Sequence, residues 1–189
     1  MREEIPALPV LTPLVVLTVA LLAVRLHRRG GLTLLRAATV TALAVYVAGV
    51  LAHTMFPIPL GPDDDAAPWY VWINLVPFLD IADDPIGLTL NVLLFVPLGA
   101  LVPLVSGRMG LGRTVLTGFL ASLGIEVLQF VADLLFSIRR VADVDDLIAN
   151  TAGVLIGYAV FRALCSIPVL KRLAQRAAWP RRSTAPLIS

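Results

Sequence analysis

Charge is scarce in this chain: 15% of its 189 residues are Asp, Glu, Lys or Arg, 58% are apolar, and the mean hydropathy is +0.88. A water-soluble domain carries about a quarter charged residues, so a soluble globule is excluded. The single cysteine, Cys165, cannot close an intrachain disulfide and offers no metal-ligand spacing. Thiol redox chemistry is excluded with it. There is no serine–histidine nucleophile pair, no glycine-rich phosphate loop, no EF-hand spacing, no internal repeat and no low-complexity tract. The cofactor is unknown, and no metal site is assigned, although clustered carboxylates with amide oxygens would suit Mg²⁺ or Ca²⁺. Lysine is almost missing too: of 15 basic residues all but Lys171 are arginine, a mark of a GC-rich coding sequence and not of function.

What is present is length of apolar sequence. A hydrocarbon core of about 30 Å takes roughly 20 apolar residues per helical crossing, and five such runs stand near 7–26, 35–55, 88–105, 115–136 and 147–167. The predicted fold class is all-α, a polytopic bundle of about five transmembrane helices. It forms one membrane domain over residues 1–171, followed by a basic tail, 172–189. The first run is read as an uncleaved anchor: Glu3 and Glu4 precede it, Arg25, Arg28 and Arg29 follow it, and no A-x-A-like cleavage site appears.

The pI near 9.1 invites a nucleic-acid partner, but the positions of the charges give a better account. With the 25–36 loop inside, 12 of the 15 basic residues fall on the cytoplasmic side, leaving Arg2, Arg139 and Arg140 outside. The positive-inside rule then sets the N-terminus out and the C-terminus in, in a multi-pass protein of the plasma membrane. Eleven of the 13 acidic residues, among them Asp63–Asp65, Asp80, Asp83 and Asp84, fall in external segments. The aromatic stretch 69–79 is expected to lie on or dip into the outer interface. The tail from Arg172 is expected to be mobile and close to anionic lipid.

The two remaining acids, Glu126 and Asp133, lie within the fourth run. Gly118, Ser122, Glu126, Gln129 and Asp133 are spaced by three and four residues and so share one helical face. At 1.5 Å per residue, Glu126 sits about 20 Å from the cytoplasmic entry of the helix, in its outer half. Asp146, Asn150, Gly153 and Gly157 repeat the spacing on the fifth run, whose G-x-x-x-G admits a close neighbour. Asn91 on the third run and His53 with Thr54 on the second reach the same depth. A carboxylate near a helix centre costs about 2.5–3.5 kcal/mol on insertion scales. Two explanations stand: Glu126 ties helices together through Gln129, Asn91 and Asn150, or these residues line a functional polar pocket open to the outside.

Arg140 is able to pair with Asp143 or Glu126, or to hold a phosphate or carboxylate of a ligand in its planar fork. The alternative is a solvated turn that caps the fifth helix, with Asp145 at its positive end. Pro97 with Gly99 is read as a feature of helix shape, His53 as a base or a hydrogen-bonding cap, and Cys165 as a buried thiol or an acylation site.

Asn91-Val-Leu-Leu-Phe95-Val-Pro97-Leu-Gly99, Glu126-Val-Leu-Gln129, the run from Arg140 through Asp143, Asp145 and Asp146 to Asn150 and Gly153, and Asn74-Leu-Val-Pro77-Phe78 occur in the order found in VanZ-like membrane proteins. Over 74–161 the chain resembles that family. The resemblance places the family's polar signature on Asn74, Asn91, Glu126, Gln129, Arg140, Asp143, Asp146 and Asn150. It implies a link to low-level resistance to the glycopeptide teicoplanin, without an established reaction. Arg139 and the long 130–139 stretch with Asp133 depart from the family pattern.

Three functions follow as expectations. The first is an outer-leaflet pocket that binds or modifies an envelope component, a membrane lipid or lipid-linked cell-wall precursor. There Glu126, Arg140 and Asp143 are the candidate catalytic groups, and Asn74, Asn91, Gln129, Asp146, Asn150 and His53 are the binding groups. The second is proton-coupled transport or lipid flipping, which fits less well because transporters commonly show repeats and midplane sites. The third is a non-catalytic scaffold.

Overall fold

The computed structural model describes residues 3–61, 68–78, 84–106 and 110–179. Arg2, Asp63, Asp64, Asp65, Asp80, Asp83, Arg108, Arg181 and Arg182, which entered the charge reading, lie outside the described residues, as does the tail beyond Trp179.

Five helices are long and apolar enough to cross a membrane: α1 (Ala7–Arg28), α2 (Leu34–Met55), α3 (Pro85–Ser106), α4 (Leu111–Phe136) and α5 (Val144–Leu164). Each contains one of the predicted runs, apart from a few residues at the ends. The shortest, at 21 residues, measures about 31 Å, enough for a hydrocarbon core. One end of the bundle, here the polar end, gathers Met55, Pro85, Phe136 and Val144; the other, the basic end, gathers Arg28, Leu34, Ser106, Leu111 and Leu164.

The buried share rises from 6% for α1 to 33% for α4 and α5, so α1 is peripheral and α5 lies near the centre. The tightest contact is between α3 and α5, because both present glycine. A Cβ added at Gly153 or Gly157 would collide with the carbonyl oxygens of Val92 and Val96, and one at Gly99 with that of Val154. Hydrocarbon solvent supplies no hydrophobic drive between helices, so close backbone approach and van der Waals contact hold them. Val154 is fully buried between Gly99 of α3 and Gly118 of α4, and with Val50, Phe95 and Leu98 it forms the apolar core. The Tyr46 hydroxyl on α2 donates to the Leu94 carbonyl on α3 at 2.8 Å. Helix α3 runs on through Pro97 and Pro103.

At the polar end two short ladders tie the connecting segments together. Antiparallel β1 (Glu4–Ile5) and β2 (Ile58–Pro59) tie the N-terminus to the segment after α2. Parallel β3 (Ile73–Asn74) and β4 (Ala142–Asp143) bring the segment after the Trp69–Trp72 turn against the start of α5. Trp69, Tyr70, Leu75, Val76 and Phe78 are exposed.

The basic end differs from expectation. The fifth run stops at Leu164, three residues early, and Pro168 starts a further helix, α6 (Pro168–Ala177), in the first-turn position that proline favours. Residues 172–177 therefore belong to a helix that the sequence reading did not assign. Trp179 N donates to Leu104 O at 2.9 Å, Arg36 Nε donates to Ala178 O at 2.9 Å, and Ala177 is buried. Helix α6 turns Val169 and Leu173, both exposed, away from the bundle beside Lys171, Arg172 and Arg176.

Candidate functional site

The polar face of α4 points inward along its length. Thr114, Gly118, Ser122, Glu126, Gln129 and Asp133 are all buried. Facing them from α5 are Asp145 and Asn150, also buried. Helix–helix hydrogen bonds join these groups: Asn150 Nδ2 donates to Ser122 Oγ at 2.9 Å, Gln129 Nε2 donates to Thr54 O on α2 at 3.3 Å, and Asn91 Nδ2 on α3 donates to Asp146 Oδ1.

Around them lies a cavity of about 220 Å³ at the polar end. Its lining includes Glu126, Arg140, Asp143, Asn91, Gln129, Asp146, Asn150 and His53, eight of the nine residues named from the sequence. The ninth, Asn74, stands outside the lining: its Nδ2 donates to Asp143 Oδ2 at 3.1 Å and its Oδ1 accepts from Val76 N, so it braces the wall.

The loop carboxylates divide by their bonds. Asp143 is the N-cap of α5, its Oδ1 accepting from Asp145 N at 2.8 Å, which satisfies one of the open amides at a helix start. Both oxygens of Asp145 accept from Phe78 N, at 2.8 and 3.0 Å, and dock the Asn74–Phe78 segment on α5. Glu126 Oε2 accepts from Asp143 N at 3.1 Å. Asp133 has an architectural part: its Oδ1 accepts from Arg139 N at 2.7 Å, and its carbonyl from Ser137 N at 2.8 Å. It thereby holds the turn in which Ser137 and Arg139 take left-handed conformations (φ 50° and 56°). The turn carries Arg140, which is exposed and lines both the polar cavity and a wider neighbour of about 820 Å³ walled by Glu4, Pro57, Pro59 and Arg139.

Two of the cavity's carboxylates were not among the candidates, Asp84 and Asp145. Asp84 Oδ1 accepts from Gly87 N at 2.8 Å ahead of α3; the order Asp84-Pro85-Ile86-Gly87 carries the helix-start signal that finds it. The cavity thus holds five carboxylates, Asp84, Glu126, Asp143, Asp145 and Asp146, against one guanidinium. Among the described residues no group of three or more His, Cys, Asp or Glu is placed to hold a metal ion.

Against the outer wall of this site runs an apolar groove of about 220 Å³, lined by Ile73, Leu75, Leu123, Val127, Phe130 and Leu147, and it shares Glu126 and Asp143 with the polar cavity.

A model of the VanZ/LLP1 family matches residues 43–166. The chain belongs to the VanZ/LLP1 family. The match takes in every candidate site residue from His53 to Asn150, and it extends beyond the sequence resemblance to most of α2. That extension has a structural counterpart: Tyr46, Val50 and Thr54 of α2 all contact the core or the site. Helices α1 and α6 lie wholly outside the VanZ/LLP1 match. No curated protein and no solved structure matches the chain significantly.

Proposed function

We propose that this VanZ/LLP1 protein binds, in the outer leaflet of the plasma membrane, the headgroup of a cell-envelope amphiphile, either a membrane lipid or a lipid-linked cell-wall precursor. The supporting observation is that Glu126 and Asp143 line both the polar cavity and the apolar groove. A molecule with a hydrophilic head and a hydrocarbon chain fits two such spaces at once, since each part meets a surface of its own polarity. Glu126 is positioned to move a proton at the headgroup, Arg140 to hold an anion by its fork, and Asn91, Gln129 and Asn150 to orient the head. Asp143 supports Glu126 through its amide.

The test uses a strain whose envelope phenotype depends on the protein, glycopeptide susceptibility included. Glu126→Ala and Arg140→Ala are expected to abolish that phenotype at unchanged membrane abundance. Loss of abundance in place of activity supports the second reading, a scaffold, which the helix-tying bonds of Asn150, Gln129 and Asn91 favour. An unchanged phenotype at normal abundance contradicts the pocket.

A further inference from the structure

The acceptor groups of the cavity outnumber its donors, and that imbalance specifies a ligand. Gln129 and Asn150 are 7% and 3% exposed, and their carbonyl oxygens, Oε1 and Oδ1, are buried without a hydrogen-bond partner. The orientation of Gln129 is fixed by chemistry: its amide nitrogen meets the Thr54 carbonyl, which only accepts, so the oxygen faces away from Thr54. Glu126 and Asp146 each keep one carboxylate oxygen outside the bonds described above. The four residues on α4 and α5 that carry these acceptor oxygens line one cavity together with Asp84, Asp143 and Asp145. Buried acceptors left without donors are costly.

We infer that the headgroup taken by this cavity carries a protonated amine, set among Gln129, Asn150, Glu126 and Asp146, with a phosphate beside it toward Arg140. The inference rests on the amphiphile reading above and names its chemical class, a zwitterionic aminoalkyl phosphate lipid. An ammonium brings three donors and no lone pair, where a hydroxyl brings one donor and adds acceptors to a site already full of them. Its charge also suits a lining of five carboxylates and one guanidinium. Arg140 lines both this cavity and the wider one that Arg139 also lines, which leaves room for a phosphate on the fork of Arg140.

Native mass spectrometry of the full chain in detergent, titrated with phosphatidylethanolamine, phosphatidylcholine and phosphatidylglycerol of identical acyl chains, tests this. Phosphatidylcholine keeps the charge without N–H donors; phosphatidylglycerol offers hydroxyls without the charge. Phosphatidylethanolamine is expected to bind about tenfold more tightly than either. Gln129→Leu is expected to erase the preference while lipid binding persists, and Gln129→Glu to retain it. Equal binding of the three, or a preference for phosphatidylglycerol or phosphatidylcholine, overturns the inference and leaves the amphiphile reading standing. Absence of binding by all three overturns the inference and, with it, the membrane-lipid form of the amphiphile reading.

Discussion

Asp145 shows how far single side chains in this site could be read from the chain. Its place near the start of α5 suggested a cap, yet Asp143 performs the capping and Asp145 clamps the Phe78 amide from 67 positions away. Asp145→Ala is expected to lower stability by about 1–3 kcal/mol, the cost of orphaning a buried donor, and to speed hydrogen exchange at Phe78; Asp145→Asn keeps an acceptor and loses less. Differential exchange with thermal unfolding checks both. Glu126 was legible because a carboxylate in an apolar run has a cost that demands a partner. Its partner, the Asp143 amide, was not legible, because the 130–139 stretch gave no sign that Asp133 folds it into a left-handed turn.

Among the helices, the glycines carried the most information. The G-x-x-x-G of α5 predicted a close neighbour, and α3 is that neighbour, contributing Gly99 in return. Gly157→Leu is expected to force α3 and α5 apart and destabilise the protein by about 1–3 kcal/mol or more, whereas Gly124→Leu, which meets open space, is expected to be neutral. Melting temperatures of the two variants in one detergent settle the comparison. The five spans were legible from hydropathy alone because each must satisfy its backbone bonds internally. Helix α6 was missed since its ten residues are too few for a hydropathy signal and its basic residues read as a solvated tail. The two-residue β3 and β4 were invisible for another reason: their pairing depends on partners almost 70 positions apart.

Across the assembled bundle, the sequence and the fold agree on an asymmetry of ends. Arg25, Arg28, Arg29, Arg36, Arg113, Arg162, Lys171, Arg172 and Arg176 gather at one end, and Glu126, the short ladders and the cavity at the other. The positive-inside rule expects the basic end in the cytoplasm; on that expectation a cysteine placed at Leu60 in a Cys165→Ser background reacts with a membrane-impermeant maleimide in intact cells, and one at Gly110 only after lysis, and the reverse pattern inverts the topology. A polar pocket was expected from the sequence, but its shape and its apolar neighbour could not be read there, since both depend on how α2, α3, α4 and α5 are set against the β3–β4 ladder. Whether that pair of spaces holds an amphiphile is decided most directly by a cryo-electron microscopy structure in native lipid. A headgroup between Glu126, Gln129, Asn150 and Arg140 with its chain along Leu123, Val127 and Phe130 is expected. Ordered lipid confined to the outside of α1 and α2, with only water between those four residues, would contradict it.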